Sequence, residues 1–375
     1  MADSTITTRD STLEGDRAPW LASAPFDLFL IIAPAFISSL VVILFADRLS
    51  DYDYLPLWAW IAFVLLVDVA HVYSTLFRTY LDSDAFQRNR GLLITIPLLC
   101  WMVGSLLYSL GALAFWRALA YLAVFHFIRQ QFGFVSLYAR HEPSEFQPFK
   151  RLDGLAIYSA TIYPLLYWHC HMPRNFNWFI KGDFFVLDSF STLTEFGLWL
   201  YLLIIGAYFA KEIYLIKKTG YFNLPKNLMV AGTALSWWIG IVFLDSDLAF
   251  TMTNVLSHGI PYMALIWLYH HKPKESSVSS GIGRGVTMTR NFIMTYLPAF
   301  LLFLFLLAYL EEGIWDGLIW REHGQIFAFF YKFPEITDPT FLAVLIPFLA
   351  LPQSVHYVLD GFIWRIKDRG SIWTA

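Results

Sequence analysis

The sequence predicts an all-α, polytopic integral membrane protein with about ten transmembrane helices and both termini in the cytoplasm. Hydrophobic residues make up 57% of the chain and charged residues only 15%, whereas soluble domains carry about 25% charged residues. Apolar runs of about 20 residues, the length that crosses a bilayer, recur along the chain. Lysine and arginine are unevenly distributed between the segments that join these runs. Together these observations exclude an ordinary soluble domain.

The apolar runs predict ten spans, the first of which must act as its own insertion signal because residues 1–20 contain no apolar segment. We place the spans near 26–46, 56–78, 91–113, 115–138, 154–171, 193–216, 227–245, 248–270, 291–310 and 339–364. The predicted organisation is a polar N-terminal tail (1–20), one transmembrane helical domain (21–367) with an outer aromatic loop near 311–338, and a C-terminal tail (368–375).

The charges of the loops set the predicted orientation. With the N-terminus inside, the inner segments hold 19 lysines and arginines and the outer segments hold six. This asymmetry favours ten helices with both ends cytoplasmic. The net charge of −3 gives no basic signal for nucleic acid, and two cysteines are too few for a disulfide framework.

Four predicted spans carry a histidine within a stripe of other polar residues. On a helix that turns 100° per residue, each stripe occupies one face. The stripes comprise Asp68, His71, Thr75, Arg78 and Asp82 on span 2, His126, Arg129 and Gln130 on span 4, Asn254, His258 and Tyr262 on span 8, and Gln353, His356 and Asp360 on span 10. Gln131 points elsewhere and is predicted to contact a neighbouring helix.

The four histidines are predicted to converge on one site. All four spans are even-numbered, so they cross the membrane in the same direction, and each histidine lies within five residues of the midpoint of its span. The imidazoles therefore come to similar depth. A charged side chain facing lipid near a helix centre costs about 2.5–3.5 kcal/mol, so stripes that contain Asp68, Arg129 and Asp360 are expected to turn inward.

Converging histidines and carboxylates, without cysteine, favour a non-haem iron centre with open coordination positions. Haem and zinc are the alternative cofactors. The predicted metal ligands are His71, His126, His258 and His356, with Asp68 and Asp360 binding the metal or orienting the imidazoles. His270 and His271, at the cytoplasmic end of span 8, are expected to add further ligands or to lie in the headgroup region.

A metal centre among apolar helices suits an oxygenase, hydroxylase or desaturase that acts on a membrane lipid or another apolar small molecule. An electron-donor protein on the cytoplasmic side is a further expected partner. The predicted catalytic residues are Arg129 and Gln130, which would hold a carboxylate or the substrate head group, and Asn254 and Tyr262, which share the stripe of His258.

Three other functions use the same polar set. They are a haem- or quinone-linked redox protein, a proton-coupled transporter and a membrane acyltransferase. The ligand number and setting are similar to those of membrane carotene-cleaving dioxygenases, and "SHGIPYMALIW" resembles the His-Gly segment of membrane-bound acyltransferases. The HxxxH and HxxHH boxes of membrane desaturases do not occur in the sequence. His169 and His171, in "YWHCH", are interpreted as interfacial residues beside Trp168 rather than as a metal site.

Overall fold

The structure, a computed structural model, describes residues 19–50, 55–187, 191–271 and 282–364, and within these ranges it contains helices and connections but no strand. The predicted tails lie almost entirely outside the described residues. The principal helices are α1 Ala24–Leu44, α2 Leu57–Arg78, α3 Arg90–Leu110, α4 Ala112–His141, α5 Lys150–Cys170, α6 Thr192–Thr219, α7 Leu224–Phe243, α8 Asp247–His271, α9 Ile282–Thr295, α10 Leu297–Trp320, α11 Pro339–Leu349 and α12 Leu351–Ile363.

Each of the first eight predicted spans corresponds to one helix. Among the described residues, seven helices are long and apolar enough to cross a membrane, and the bent pair α11–α12 makes an eighth if it counts as one span. Helices α5 and α8 are long enough but less apolar. Helix α8 buries 18 of its 25 residues, many of them polar, because protein rather than lipid surrounds it.

The last two predicted spans differ from the structure. The run placed at 291–310 is divided at Tyr296, before Pro298, into α9 and α10, and α10 continues to Trp320 through the first part of the predicted outer loop. The remainder of that loop holds two short helical turns, Gly324–Phe327 and Phe330–Lys332. The final span is bent by 45° between α11 and α12, at the start of which Pro352 lies.

Helix α8 lies at the centre of the bundle and packs against α1, α2, α4 and α7. Helices α3 and α6 instead expose large apolar side chains, including Met102, Leu106, Trp199 and Leu203. Exposed apolar faces of this extent are expected where a helix contacts lipid. Helix α12 packs against α2, α3 and α4, and its Asp360 reaches Tyr262 of the central helix.

Gly259 permits the close approach of α8 to α2. A Cβ atom at this position would lie 2.7 Å from Val67 Cγ1 and 3.2 Å from the Val67 carbonyl oxygen. We expect Gly259→Ala to lower the free energy of unfolding by about 1–3 kcal/mol, because the two helices would have to separate. The matched control is Gly133→Ala in α4, where no atom lies within 4 Å of the added Cβ.

Unfolding of both variants in detergent micelles by denaturant titration tests this prediction. The control is expected to be neutral or stabilised by about 0.5–1 kcal/mol, because alanine favours a helix interior over glycine. Equal stability of the two variants would show that the Gly259 contact does not restrict the helix pair.

Candidate metal centre

The four predicted histidines meet inside the bundle. His71, His126, His258 and His356 each contribute one ring nitrogen to a cluster. These four nitrogen atoms all lie within 4.8 Å of one another. All four side chains are buried, with at most 2% of any residue exposed. Three different helices and the bent final pair therefore bring one imidazole each to a common point.

The side chain four residues after each histidine is polar and contacts the group. These residues are Thr75, Gln130, Tyr262 and Asp360. Because residues four apart lie on one face of a helix, each helix presents its histidine and this polar residue in successive turns. Thr75 was predicted to share the inward-facing stripe of His71, but it was given no role in the metal site. The repeated spacing is the signal that identifies it.

Three of these polar residues form a continuous hydrogen-bonded chain between two of the histidines. Tyr262 donates its hydroxyl proton to Asp360 Oδ1 at 2.5 Å, and its oxygen lies 2.9 Å from Thr75 Oγ1. Thr75 Oγ1 in turn lies 2.6 Å from His356 Nδ1. The other carboxylate oxygen of Asp360 lies 3.4 Å from His126 Nδ1.

The direction of this chain follows from the chemistry of Asp360. When Asp360 is ionised, its carboxylate only accepts hydrogen bonds, so the Tyr262 hydroxyl is the donor. The Tyr262 oxygen then accepts the Thr75 proton, and Thr75 accepts the proton of His356 Nδ1. This arrangement gives His356 a proton on Nδ1 and a lone pair on Nε2, and a carboxylate oxygen 3.4 Å from His126 Nδ1 favours the same tautomer there.

His71 has the same tautomer for a simpler reason. Its Nδ1 lies 3.2 Å from the Val67 carbonyl oxygen, which is an acceptor only, so Nδ1 carries the proton. The ring of His258 is held differently, by stacking on Phe127 at 3.5 Å between centroids. Among the described residues, His258 Nδ1 has no hydrogen-bond partner, and neither has His356 Nε2.

The nitrogen distances suit a single metal ion. His258 Nε2 lies 3.1 Å from His71 Nε2 and 3.2 Å from His126 Nε2. With metal–nitrogen bonds of about 2.1 Å, neighbouring ligand atoms are about 3.0 Å apart at right angles and about 3.4 Å apart in a tetrahedron. Hydrogen bonds that hold Nδ1 and leave Nε2 free are the usual surroundings of metal-binding histidines.

A cavity of about 620 Å³ lies on one side of the histidines, and we call it the vestibule. On α2, α4 and α8 most of the lining residues precede the histidine in sequence, and on the bent pair α11–α12 Ala350 and Gln353 precede it. Examples are Asp68 on α2, Leu119 on α4, Asn254 on α8 and Gln353 on α12. The four helices therefore run in the same direction past the site, as predicted. The hydrogen-bonded chain, built from residues that follow the histidines, lies on the opposite side.

Several predicted site residues lie elsewhere. Arg129 is exposed, donates a hydrogen bond to Tyr158 and lies 5.0 Å from the ring centroid of Phe132. It lies 60° around the helix from His126, which is enough to direct a long side chain toward α5 instead of the histidines. Gln130 does reach the site, where its Nε2 donates to the carbonyl oxygen of His258 at 2.9 Å.

The remaining members of the predicted set have separate positions. Asn254 is buried and lines the vestibule, and Asp68 lines it with a carboxylate oxygen 3.8 Å from His71 Nδ1. His270 and His271 do not join the four histidines. They lie at least 12 residues beyond His258 in α8, a distance of about 18 Å at 1.5 Å per residue, so they cannot bind the same ion.

His169 and His171 make local contacts. His169 lies 2.8 Å from the hydroxyl oxygen of Tyr121 and 2.7 Å from the carbonyl oxygen of Leu165. His171 stacks on Tyr167 with 3.8 Å between ring centroids. Neither belongs to a metal-compatible group among the described residues.

A second buried polar cluster lies apart from the histidines, and we call it the charge cluster. It contains two lysines and three carboxylates, Glu142, Asp153, Lys211, Glu212 and Lys226. Lys211 and Glu212, which are adjacent in α6, are both at least 93% buried. Each lysine lies between carboxylates from different segments. The attraction between these charges offsets the free-energy cost of removing the lysine from water.

No known protein family, no characterised protein and no solved structure matches this chain. The site must therefore be interpreted from its own chemistry.

Proposed function

We propose that the protein is a membrane-embedded, metal-dependent oxidoreductase in which His71, His126, His258 and His356 bind one non-haem iron ion. The observation that carries this proposal is the approach of four buried ring nitrogens, one from each histidine, to within 4.8 Å of one another. The Nδ1 atoms of three imidazoles face Val67, Asp360 and Thr75, which favours lone pairs on their Nε2 atoms. A metal ion between the Nε2 atoms would satisfy these lone pairs in a buried site.

The spacing favours a non-haem centre over haem. Axial histidines on opposite faces of a haem have ligand atoms about 4 Å apart, the sum of two metal–nitrogen bonds of about 2 Å. The pairs that His258 forms with His71 and His126 are 3.1 and 3.2 Å apart, so they would occupy adjacent coordination positions. All the proposed ligands are histidines, and one side of the site faces a cavity. Such an open site suits iron, whereas a structural zinc ion is enclosed by its protein ligands.

The reaction we propose is of the oxygenase, hydroxylase or desaturase type. Bound iron would supply the redox chemistry with dioxygen, and a hydroxylase or desaturase would also need two electrons from a donor protein. The chain itself would orient the imidazoles through Asp360, Tyr262 and Thr75 and would admit substrate through the vestibule. An apolar cavity of about 290 Å³, lined by Leu99, Val103 and Val358 among others, supports a substrate with a hydrocarbon part.

The proposed topology has ten spans with both termini cytoplasmic. It is supported by the loop charges, by the correspondence of α1–α8 with the first eight predicted spans and by the common direction of the histidine helices. In this topology the vestibule opens on the outer side of the membrane and the charge cluster lies toward the cytoplasm.

Elemental analysis and an optical spectrum of the protein purified in detergent test the metal assignment. We expect about one iron per chain and no Soret band, since no haem is proposed. His126→Ala and His356→Ala are each expected to lose most of the metal, because each removes one ligand. His271→Ala, on α8 but about 18 Å or more from the group, is the matched control and should retain the metal.

Folded protein that binds no metal after reconstitution with ferrous iron would contradict the proposal. A Soret band lost in the same two variants would support the haem alternative instead. Stoichiometric zinc that ferrous iron does not replace would retain the metal centre but exclude the proposed redox chemistry.

A further inference from the structure

The composition of the vestibule wall differs from that of an ordinary lipid-binding cavity. Five carboxylates line it, against a single lysine, Lys181. Five of the 15 tryptophans in the chain line it as well. These residues are Asp68, Asp247, Glu312, Asp316 and Glu322, with Trp60, Trp116, Trp178, Trp315 and Trp320. A chamber that is both strongly acidic and rich in tryptophan is suited to an organic cation, since carboxylates and indole faces both attract positive charge.

The aromatic wall is ordered by its own contacts. Trp315 stacks on Trp320 with 5.9 Å between ring centroids, and Trp116 lies 6.1 Å from Trp315. Trp60 is covered by His323 at 4.0 Å. Rings that are already packed lose little side-chain entropy when a ligand binds, so this wall is preorganised for an apolar or cationic group.

At the histidine end of the vestibule, a buried amide oxygen is free to accept a hydrogen bond. Asn254 is 2% exposed, lines the cavity one turn before His258, and donates through Nδ2 to the Phe250 carbonyl oxygen at 3.1 Å. Its Oδ1 atom accepts no hydrogen bond from any described residue. A buried amide oxygen is normally paired, and a ligand that donates a proton would satisfy it.

The vestibule opens to the surface at one end and approaches the histidines at the other. Lys181 and Glu322 are exposed and mark its mouth, whereas Asp68, Asn254 and Gln353 lie within one turn of a metal-group histidine. A molecule that enters between the loops around residues 177–181 and 320–323 would therefore reach the histidines past the carboxylates and the tryptophans.

We propose that the vestibule binds an organic ammonium ion, an apolar molecule that bears a protonated amine, and that this molecule is the substrate held beside the four histidines. Its role as substrate rests on the proposed metal-dependent function. Its binding does not, because the carboxylates, the tryptophans and Asn254 belong to the protein alone. The ammonium group donates to Asn254 and the carboxylates, and the hydrocarbon part contacts the tryptophans.

Binding of phenethylammonium and of its uncharged counterpart, phenethyl alcohol, tests this proposal. The two probes differ mainly in charge, and tryptophan fluorescence of the full chain in lipid nanodiscs reports their binding. We expect phenethylammonium to bind more tightly than the alcohol by about tenfold or more. Glu312→Gln and Asp68→Asn should each weaken the ammonium by about tenfold, which corresponds to about 1.4 kcal/mol, and leave the alcohol unaffected.

Glu335→Gln is the matched control, because Glu335 is an exposed carboxylate in the same connecting region and does not line the vestibule. Equal affinity for the two probes, or equal losses in Glu312→Gln and Glu335→Gln, would overturn the proposal. A response to manganese alone would also overturn it. If manganese changes the tryptophan fluorescence and both Glu312→Gln and Asp68→Asn reduce that change, the vestibule is a route for the metal ion.

The same titration in His126→Ala separates this proposal from the metal assignment. We expect phenethylammonium to bind this variant with affinity within about twofold of the unaltered protein, whether or not metal is found. Binding that disappears with His126 but survives Glu312→Gln would place the ligand on the histidines and overturn the vestibule site. Preserved binding in a metal-free protein supports the ammonium site and refutes only the proposed redox function.

Discussion

Replacing Lys226 with methionine is expected to lower the free energy of unfolding by about 3–5 kcal/mol, the cost of leaving buried charges without their partner. Lys226 is fully buried, and its Nζ atom lies 2.6 Å from Glu142 Oε1 and 2.7 Å from Glu212 Oε1. It also lies 3.6 Å from Asp153 Oδ1. Without Lys226, Glu142 would lose its lysine partner, and Asp153 and Glu212 would share the single ammonium group of Lys211.

Denaturant titration in detergent micelles measures this effect, and Lys217→Met, which removes an exposed lysine from the last turn of α6, is the control. The double variant Lys226→Met with Glu142→Gln separates charge from packing. It removes one carboxylate and should recover part of the lost stability. If the double variant is less stable than the single one, lost packing rather than uncompensated charge causes the effect.

Replacing Asp360 with asparagine is expected to lower the metal affinity of the proposed centre by about 10- to 100-fold, as the loss of a carboxylate that orients a ligand commonly does. Asp360 accepts from Tyr262 through Oδ1, and its Oδ2 lies 3.4 Å from His126 Nδ1. Asparagine has only one acceptor oxygen, so one donor loses its partner. His126 is then free to move its proton to Nε2, which would block the lone pair that binds the metal.

Competition with a chelator of known affinity measures the change. Asp84→Asn, at an exposed position in the short helix Ser83–Arg88, makes the same chemical substitution outside the site and should retain normal affinity. Unchanged affinity in Asp360→Asn, with the protein folded, would mean that the hydrogen-bonded chain does not fix the His126 tautomer. The proposed reason for convergence of the lone pairs would then be wrong.

The convergence of the four histidines could be predicted from the sequence because it depends on periodicity and depth. Each histidine lies at a comparable position in an apolar run, and buried polar groups must face protein rather than lipid. Those two constraints bring His71 and His356 together although they are 285 positions apart. The role of Gln131 as a helix contact was predictable in the same way, and its Oε1 accepts from Thr233 at 2.9 Å.

The direction of individual side chains near the edge of a stripe could not be predicted. Arg129 and Gln130 are both within 60° of His126 on an ideal helix, yet only Gln130 contacts the site. Helix α2 departs further from the ideal, because Trp60–Val69 forms wide π-helical turns and Thr75–Arg78 a tight 3₁₀ turn. A fixed angle per residue cannot describe such a segment.

The sequence by itself determined the helical class, the positions of eight helices and the common depth of the four histidines, since each follows from the hydrophobic pattern within one segment. Only the tertiary structure decided the chain Thr75–Tyr262–Asp360, the acidic vestibule with its five tryptophans and the charge cluster around Lys226. Each of these joins residues from several helices. Their contacts depend on how the helices rotate and pack together, and a repeat along a single helix carries no such information.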